Sequence, residues 1–174
     1  MRTIDFVLTW VDGADPEWLD RKSQYKGTKV QDLVSHYRDW DILRYWFRSV
    51  EQFAPWVNRV FLITDNQCPS WLNKHHSKLK LVDHRDYIPE EFLPTFNSNC
   101  IEVNMHRIDE LSEHFVSFND DMFITQPVDA EYYFKNGMPC LGTFEHVFDG
   151  RAYSKVDGWG ISVTDFMNTQ VLNA

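Results

Sequence analysis

Four short apolar runs set the frame for this chain: "IDFVLTWV" at 4–11, "RVFLITD" at 59–65, "LKLVDH" at 79–84 and "HFVSF" at 114–118. Each has the length of a strand, and the segments between them carry helical rather than alternating periodicity. "DPEWLDRKSQYKG", residues 15–27, offers Asp15 as a helix N-cap, Pro16 at the first helical position and Gly27 as a stop. In "DWDILRYWFRSVEQFAPW", Ile42, Trp46, Val50 and Phe53 share one stripe and Pro55 ends it. "NCIEVNMHRIDEL", residues 99–111, places Ile101, Met105 and Ile108 on another stripe, with Asn99 and Glu102 spaced as a capping box. Strands alternating with helices predict an α/β domain with a largely parallel sheet. The expected organisation is one catalytic-type domain over 1–174 with its core in 4–128. Residues 28–37 read as a polar surface loop and "NQCPSWLNKHHSK" as a loop with one helical turn, while 129–174 carries little readable pattern.

In open parallel sheets ligands bind outside the carboxyl ends of the strands. Asp12, Asp65 and the Asn119–Asp121 run each follow a predicted strand. If those strands are neighbours, three acidic sites share one edge.

Composition narrows the ligands. The net charge of −9 argues against nucleic acid, which selects basic surfaces. No apolar run reaches transmembrane length, and the opening "MRTIDFVLTWVDG" holds Asp5 inside its apolar run, as a first strand rather than a signal peptide. Cys68, Cys100 and Cys140 are an odd count without CxxC spacing, which fits a reducing cytoplasm and provides no zinc site. Neither a GxxxxGK[ST] loop nor a GxGxxG turn is present. A phosphate-bearing ligand would therefore rely on arginines, backbone N–H groups or a divalent cation held by carboxylates.

Several residues have two readings. Asp120 and Asp121 would point to opposite faces of a continuing strand, so they reach one ion only where the chain turns. The pair is either a solvated turn or a ligand pair. Asp41, Arg44, Arg48 and Glu51 line one helix face, as a salt-bridged surface or as a guanidinium fork for phosphate oxygens. Glu102 and His106 stand at i and i+4, as a cap and a structural histidine or as an acid–base pair. Asp12 lies in an ordinary Asp-Gly turn that also suits a nucleotide or metal contact, and His75-His76 reads as solvated surface.

Taken together, "IDFVLTWVDGADP", "YRDWDILRYWFRSVEQFAPWV", "FLITDNQCPSWL", "LPTFNSNCIEVNMHRI" and "LSEHFVSFNDDMF" cover most of residues 4–128 and resemble the Stealth family of hexose-1-phosphate transferases. That family includes bacterial capsular polysaccharide phosphotransferases and the lysosomal-enzyme N-acetylglucosamine-1-phosphotransferase. The resemblance implies a nucleotide-sugar-binding, glycosyltransferase-A-like α/β sandwich. It also implies transfer of hexose-1-phosphate from a UDP-hexose to a hydroxyl of a capsular polysaccharide acceptor, with release of UMP. It further implies Mg²⁺ or Mn²⁺, held by Asp120 and Asp121 of "NDD". Asp12 of "TWVDG" and Arg44 carry over as contacts to the nucleotide sugar. Those two residues, with Arg48 and with Glu102 and His106 of the "IExxxHRI" element, form the catalytic set. A bacterial cytoplasmic location, at the inner face of the membrane where capsule is assembled, belongs to the same expectation. Ile42 replaces the usual acidic residue before "LRY", and His36 stands where an Arg is common. The family's two later blocks have no visible counterpart, so the chain is expected to stop before them. The competing expectations are an ordinary glycosyltransferase that releases UDP and a non-catalytic nucleotide-sugar binding fragment.

Overall fold

A computed structural model describes residues 3–27, 29 and 40–140. Apart from Lys29, the 28–37 stretch with His36 lies outside the described residues, as does everything beyond Cys140. The expectation of one domain over 1–174 extends into those positions.

The strands form where the apolar runs predict them: β1 (Ile4–Thr9), β2 (Val60–Thr64), β3 (Leu79–Asp83) and β4 (His114–Phe118). They build one sheet in the order β3-β2-β1-β4, with every pairing parallel. β1 and β2 are central and buried on both faces, which explains why their sequences are largely apolar, Asp5 aside. On one face, Phe6 and Leu8 of β1 and Val60 and Leu62 of β2 pack with Leu43, Trp46 and Val50 of helix α2 (Leu43–Phe53). On the other, Val7, Phe61, Ile63 and Val82 meet Tyr87, Ile88, Met105 and Ile108. The sheet is thus covered on both sides, as a parallel sheet requires.

Helix α1 (Pro16–Lys26) follows its sequence signals closely. The Asp15 side chain accepts from the Glu17 and Trp18 N–H groups, Pro16 opens the helix, and Gly27 closes it at φ +64°. Helix α2 begins at Leu43, so the buried stripe runs from Leu43 rather than from Ile42, and Asp41 lies outside the helix in the left-handed region at φ 55°. After α3 (His84–Tyr87), the predicted 99–111 helix is broken. Helix α4 spans only Ser98–Val103 and is capped by Asn97, not Asn99; a 3-10 turn, Met105–Arg107, follows. The break lies at Asn104, whose side-chain amide donates back to the Cys100 carbonyl. No helical turn forms in 66–78. A short helix α5 (Ala130–Tyr133) and a two-stranded hairpin, β5 (Phe134–Lys135) and β6 (Met138–Pro139), complete the described chain.

Candidate active site

Parallel pairing brings the carboxyl ends of all four strands to one edge. β1 leads to β2 and β3 on one side, whereas β4 returns to the opposite side of β1. The crevice at such a reversal is where open α/β sheets place their ligands. Asp12 follows β1 and Asp120-Asp121 follow β4, and the two strands are hydrogen-bonded neighbours, with Leu8 opposite Phe118. The predicted acidic edge is therefore real, and two of its three members flank the switch point.

The chain turns at "NDD". The Met122 N–H donates to the Asn119 carbonyl at 3.1 Å, so Asp120 and Asp121 occupy the middle of a turn, both exposed. This removes the opposite-face problem of an extended chain. Among the described residues no three His, Cys, Asp or Glu side chains converge as a ready cation cage. A hard cation that also takes phosphate oxygens needs only one or two carboxylates from the protein, and this edge supplies that donor set.

Asp12 is tightly placed. Its Oδ1 accepts from the Ala14 N–H at 2.9 Å, and its carbonyl accepts from the Asp15 N–H at 3.2 Å, closing the Asp-Gly turn. Its own N–H donates to Gln67 Oε1 at 2.9 Å, while Gln67 Nε2 donates to the Asp12 carbonyl at 3.2 Å. The same Nε2 donates to Asp15 Oδ2 at 2.7 Å. That bond comes first among the causes holding the Asp15 carboxyl below its ordinary range. Asp65 after β2 is already paired with Arg21 of α1, Nη2 to Oδ2 at 2.9 Å. That ion pair commits Asp65 to α1, and His84 lies buried beside it, its imidazole pushed down by that burial.

The arginines take intermediate positions. Trp46 packs on Phe118 at 5.5 Å between ring centroids, which sets α2 against the end of β4. Arg44 is held by Asp41 at 2.7 Å and lies 5.5 Å from the Trp71 ring; its Nε is buried and makes no hydrogen bond. Arg48 is exposed and lies over the Tyr45 ring. The Asp41–Arg44 pair belongs to the salt-bridged-surface reading, whereas Nε is a buried donor without a hydrogen-bond partner. Glu102 and His106 are both exposed, and the helix break separates them onto different elements. The His106 Nδ1 lies 2.8 Å from the Val103 carbonyl. A carbonyl only accepts, so Nδ1 carries a proton, and in the neutral ring Nε2 carries the lone pair. Gln67 is not among the residues the sequence points to, since a glutamine in a loop carries no motif of its own.

Fold and edge together define an α/β protein of the nucleotide-binding, glycosyltransferase-A-like class, with its acidic groups at the switch point of a parallel sheet. Residues 2–30 match "Stealth protein CR1, conserved region 1" and residues 36–140 match "Stealth protein CR2, conserved region 2". The chain belongs to the Stealth family. It is 51% identical over 149 residues to the receptor polysaccharide phosphotransferase WefC of Streptococcus oralis, covering 82% of this chain and 45% of that protein. Identity is 48% over 159 residues to the capsular polysaccharide phosphotransferase CpsJ of Streptococcus thermophilus, covering 88% and 67%. Against the exopolysaccharide phosphotransferase cps2G of Lactiplantibacillus plantarum it is 48% over 137 residues, 78% and 41%. The chain spans about half the length of the curated relatives it matches. Among the described residues no helix is long and apolar enough to cross a membrane.

Proposed function

We propose that this chain carries the donor-binding part of a sugar-phosphate transferase, which moves hexose-1-phosphate from a UDP-hexose to a hydroxyl of a polysaccharide and releases UMP. The observation that carries this reading is the placement of Asp12 and Asp120-Asp121 just after adjacent parallel strands at the switch point, in a chain whose relatives are named polysaccharide phosphotransferases. Attack at the β-phosphorus builds charge on the phosphoryl oxygens and on the departing UMP, so positioning and charge neutralisation dominate the barrier. Asp12, fixed by its turn, orients the nucleotide end of the donor. Asp120 and Asp121 would hold Mg²⁺ or Mn²⁺, which neutralises diphosphate charge when bound. Arg44 exchanges its Asp41 contact for phosphoryl oxygens and offers its orphaned Nε, and Arg48 gives a second guanidinium one turn along the same helix. His106, with its lone pair on Nε2, is the base assigned to the acceptor hydroxyl, and Glu102 accompanies it in the family element. The free thiols Cys68, Cys100 and Cys140 accord with a reducing cytoplasm, at the membrane face where the acceptor is built.

The test is the nucleotide released when the protein, a divalent cation, a UDP-hexose and a capsule oligosaccharide are combined. UMP with phosphorus retained in the polymer supports the proposal; UDP would replace it with plain glycosyl transfer. Asp121→Asn should reduce turnover at least about a hundredfold, as loss of a charge-stabilising group at a reacting phosphate does, while leaving the thermal midpoint unchanged. Near-normal turnover in that variant would remove Asp121 from the metal site.

A further inference from the structure

β1 and β2 stay paired through Thr9 opposite Ile63, and the Trp10 N–H still reaches the Ile63 carbonyl at 3.0 Å. Beyond that point the two backbones diverge, yet Asp12 makes the two hydrogen bonds a strand residue would make. Both go to one group, the primary amide of Gln67, which accepts from the Asp12 N–H and donates to the Asp12 carbonyl. The second amide hydrogen binds Asp15, whose other oxygen caps α1. The amide's orientation follows from these partners, because Asp15 and the Asp12 carbonyl need donors and the Asp12 N–H needs an acceptor. Gln67 is itself pinned: its N–H binds the Thr64 hydroxyl at 3.2 Å, and that hydroxyl donates to the Gln67 carbonyl at 2.8 Å. The residue is 9% exposed, so lost hydrogen bonds here are not simply replaced by water.

We infer that Gln67 is a positioning residue: its amide stands in for one further residue of β2, holding Asp12 and the start of α1 in fixed register against the β4 turn. It acts through Asp12 rather than on the donor itself, and the inference rests on the proposed role of Asp12.

Two variants of the full-length protein test it. Gln67→Met keeps bulk and loses every polar contact of the side chain. Gln67→Glu keeps the acceptor for the Asp12 N–H, but as a carboxylate it has no donor for the Asp12 carbonyl and faces the Asp15 charge. In both, amide hydrogen exchange at Asp12 should accelerate, while the Phe6, Leu8 and Leu62 amides keep their protection. The kcat for transfer should fall about ten- to a hundredfold, the scale of misplacing a reacting group by an ångström, with donor KM changed less than about threefold. Protonation of the carboxyl introduced by Gln67→Glu restores one donor. The kcat of that variant relative to wild type should therefore rise as the pH falls toward about 5, near the carboxyl range, and that of Gln67→Met should not. Unchanged kcat in both variants overturns the inference. So does loss of protection across the whole sheet, which marks a general structural role. If the wild-type protein releases no UMP, the functional reading fails instead, and Asp12 exchange still decides whether Gln67 is its clamp.

Discussion

Asp5 is an acidic residue at 0% exposure, the second residue of β1. Its Oδ1 accepts from Asn58 Nδ2 at 2.8 Å and from the Arg59 N–H at 3.0 Å, and its Oδ2 accepts from the Ser112 N–H at 2.8 Å. These donors come from the segments that lead into β2 and β4, so one carboxylate ties the amino ends of three strands together. Asp5→Asn would turn an amide N–H toward at least one donor. It should cost about 2–3 kcal/mol, the range for bonds to a charged group, read as a lower urea midpoint with the m-value unchanged. An unmoved midpoint would show the network to be dispensable. Lys22 is the opposite case, a cation 1% exposed, with Nζ 4.9 Å from the Trp18 ring centroid and 5.4 Å from that of Phe96. Burial, with a smaller push from Lys26, brings its pKa down to about 8. Below that value both the folded and the unfolded chain bind the proton. Between about 8 and the ordinary lysine value of 10.5 the unfolded chain binds more, so stability rises with pH. The stability of wild type relative to Lys22→Met should therefore grow from about pH 8 to about pH 10, by at most about 1.4 kcal/mol per unit. Urea titrations across that range measure it, and a flat difference would mean that the ammonium is not desolvated.

Neither residue announces its partners in the sequence, and the same divide between local and distant causes runs through the elements. The ends of α1 were legible because Asp15, Pro16 and Gly27 act on their own neighbours. The strands were legible because parallel pairing buries both faces of β1 and β2, leaving largely apolar runs in place of an alternating pattern. The 99–111 segment misled for a physical reason. Met105 and Ile108 are three apart, a spacing that a 3-10 turn satisfies as well as a helix, and the Asn104 bond to Cys100 competes locally with the helix at the point where it ends. The β5–β6 hairpin did carry a signal, Asn136-Gly137, with both residues at positive φ as a tight hairpin turn requires. Its strands are two residues each, too short for any alternation to flag them. In the candidate site, the placement of Asp12 and "NDD" at the carboxyl edge was legible from their positions after strands. Gln67 was not, because its role depends on a side chain from one loop meeting the backbone of another.

Across the whole molecule the two edges of the sheet differ in character. At the amino edge, Glu110 bridges Arg59 at 2.6 Å and Lys80 at 3.0 Å, and hydrogen bonds from Lys80 and then Arg59 hold its carboxyl below the ordinary range. Beside the first residues of β2 and β3, Phe47, Val50, Val57 and Leu72 line an apolar groove of about 430 Å³. The carboxyl edge carries Asp12, Asp65 and the Asp120-Asp121 turn. Because the Glu110 network is exposed to solvent, Glu110→Gln should leave both the unfolding midpoint and the transfer rate where they are; a fall in either would give this edge a role its exposure does not suggest. The pairing of β1 with β4 has a consequence of another kind. The ladder from Ile4–His114 to Leu8–Phe118 sets the segments that carry Asp12 and Asp120 beside each other, although they are far apart in the chain. During synthesis β1, β2 and β3 leave the ribosome first and in adjacent order, but the crevice between β1 and β4 has no second wall until Phe118 has emerged and docked. A nascent chain stalled before β4 holds a partial sheet without the crevice proposed to seat the donor, so the candidate site comes into being late.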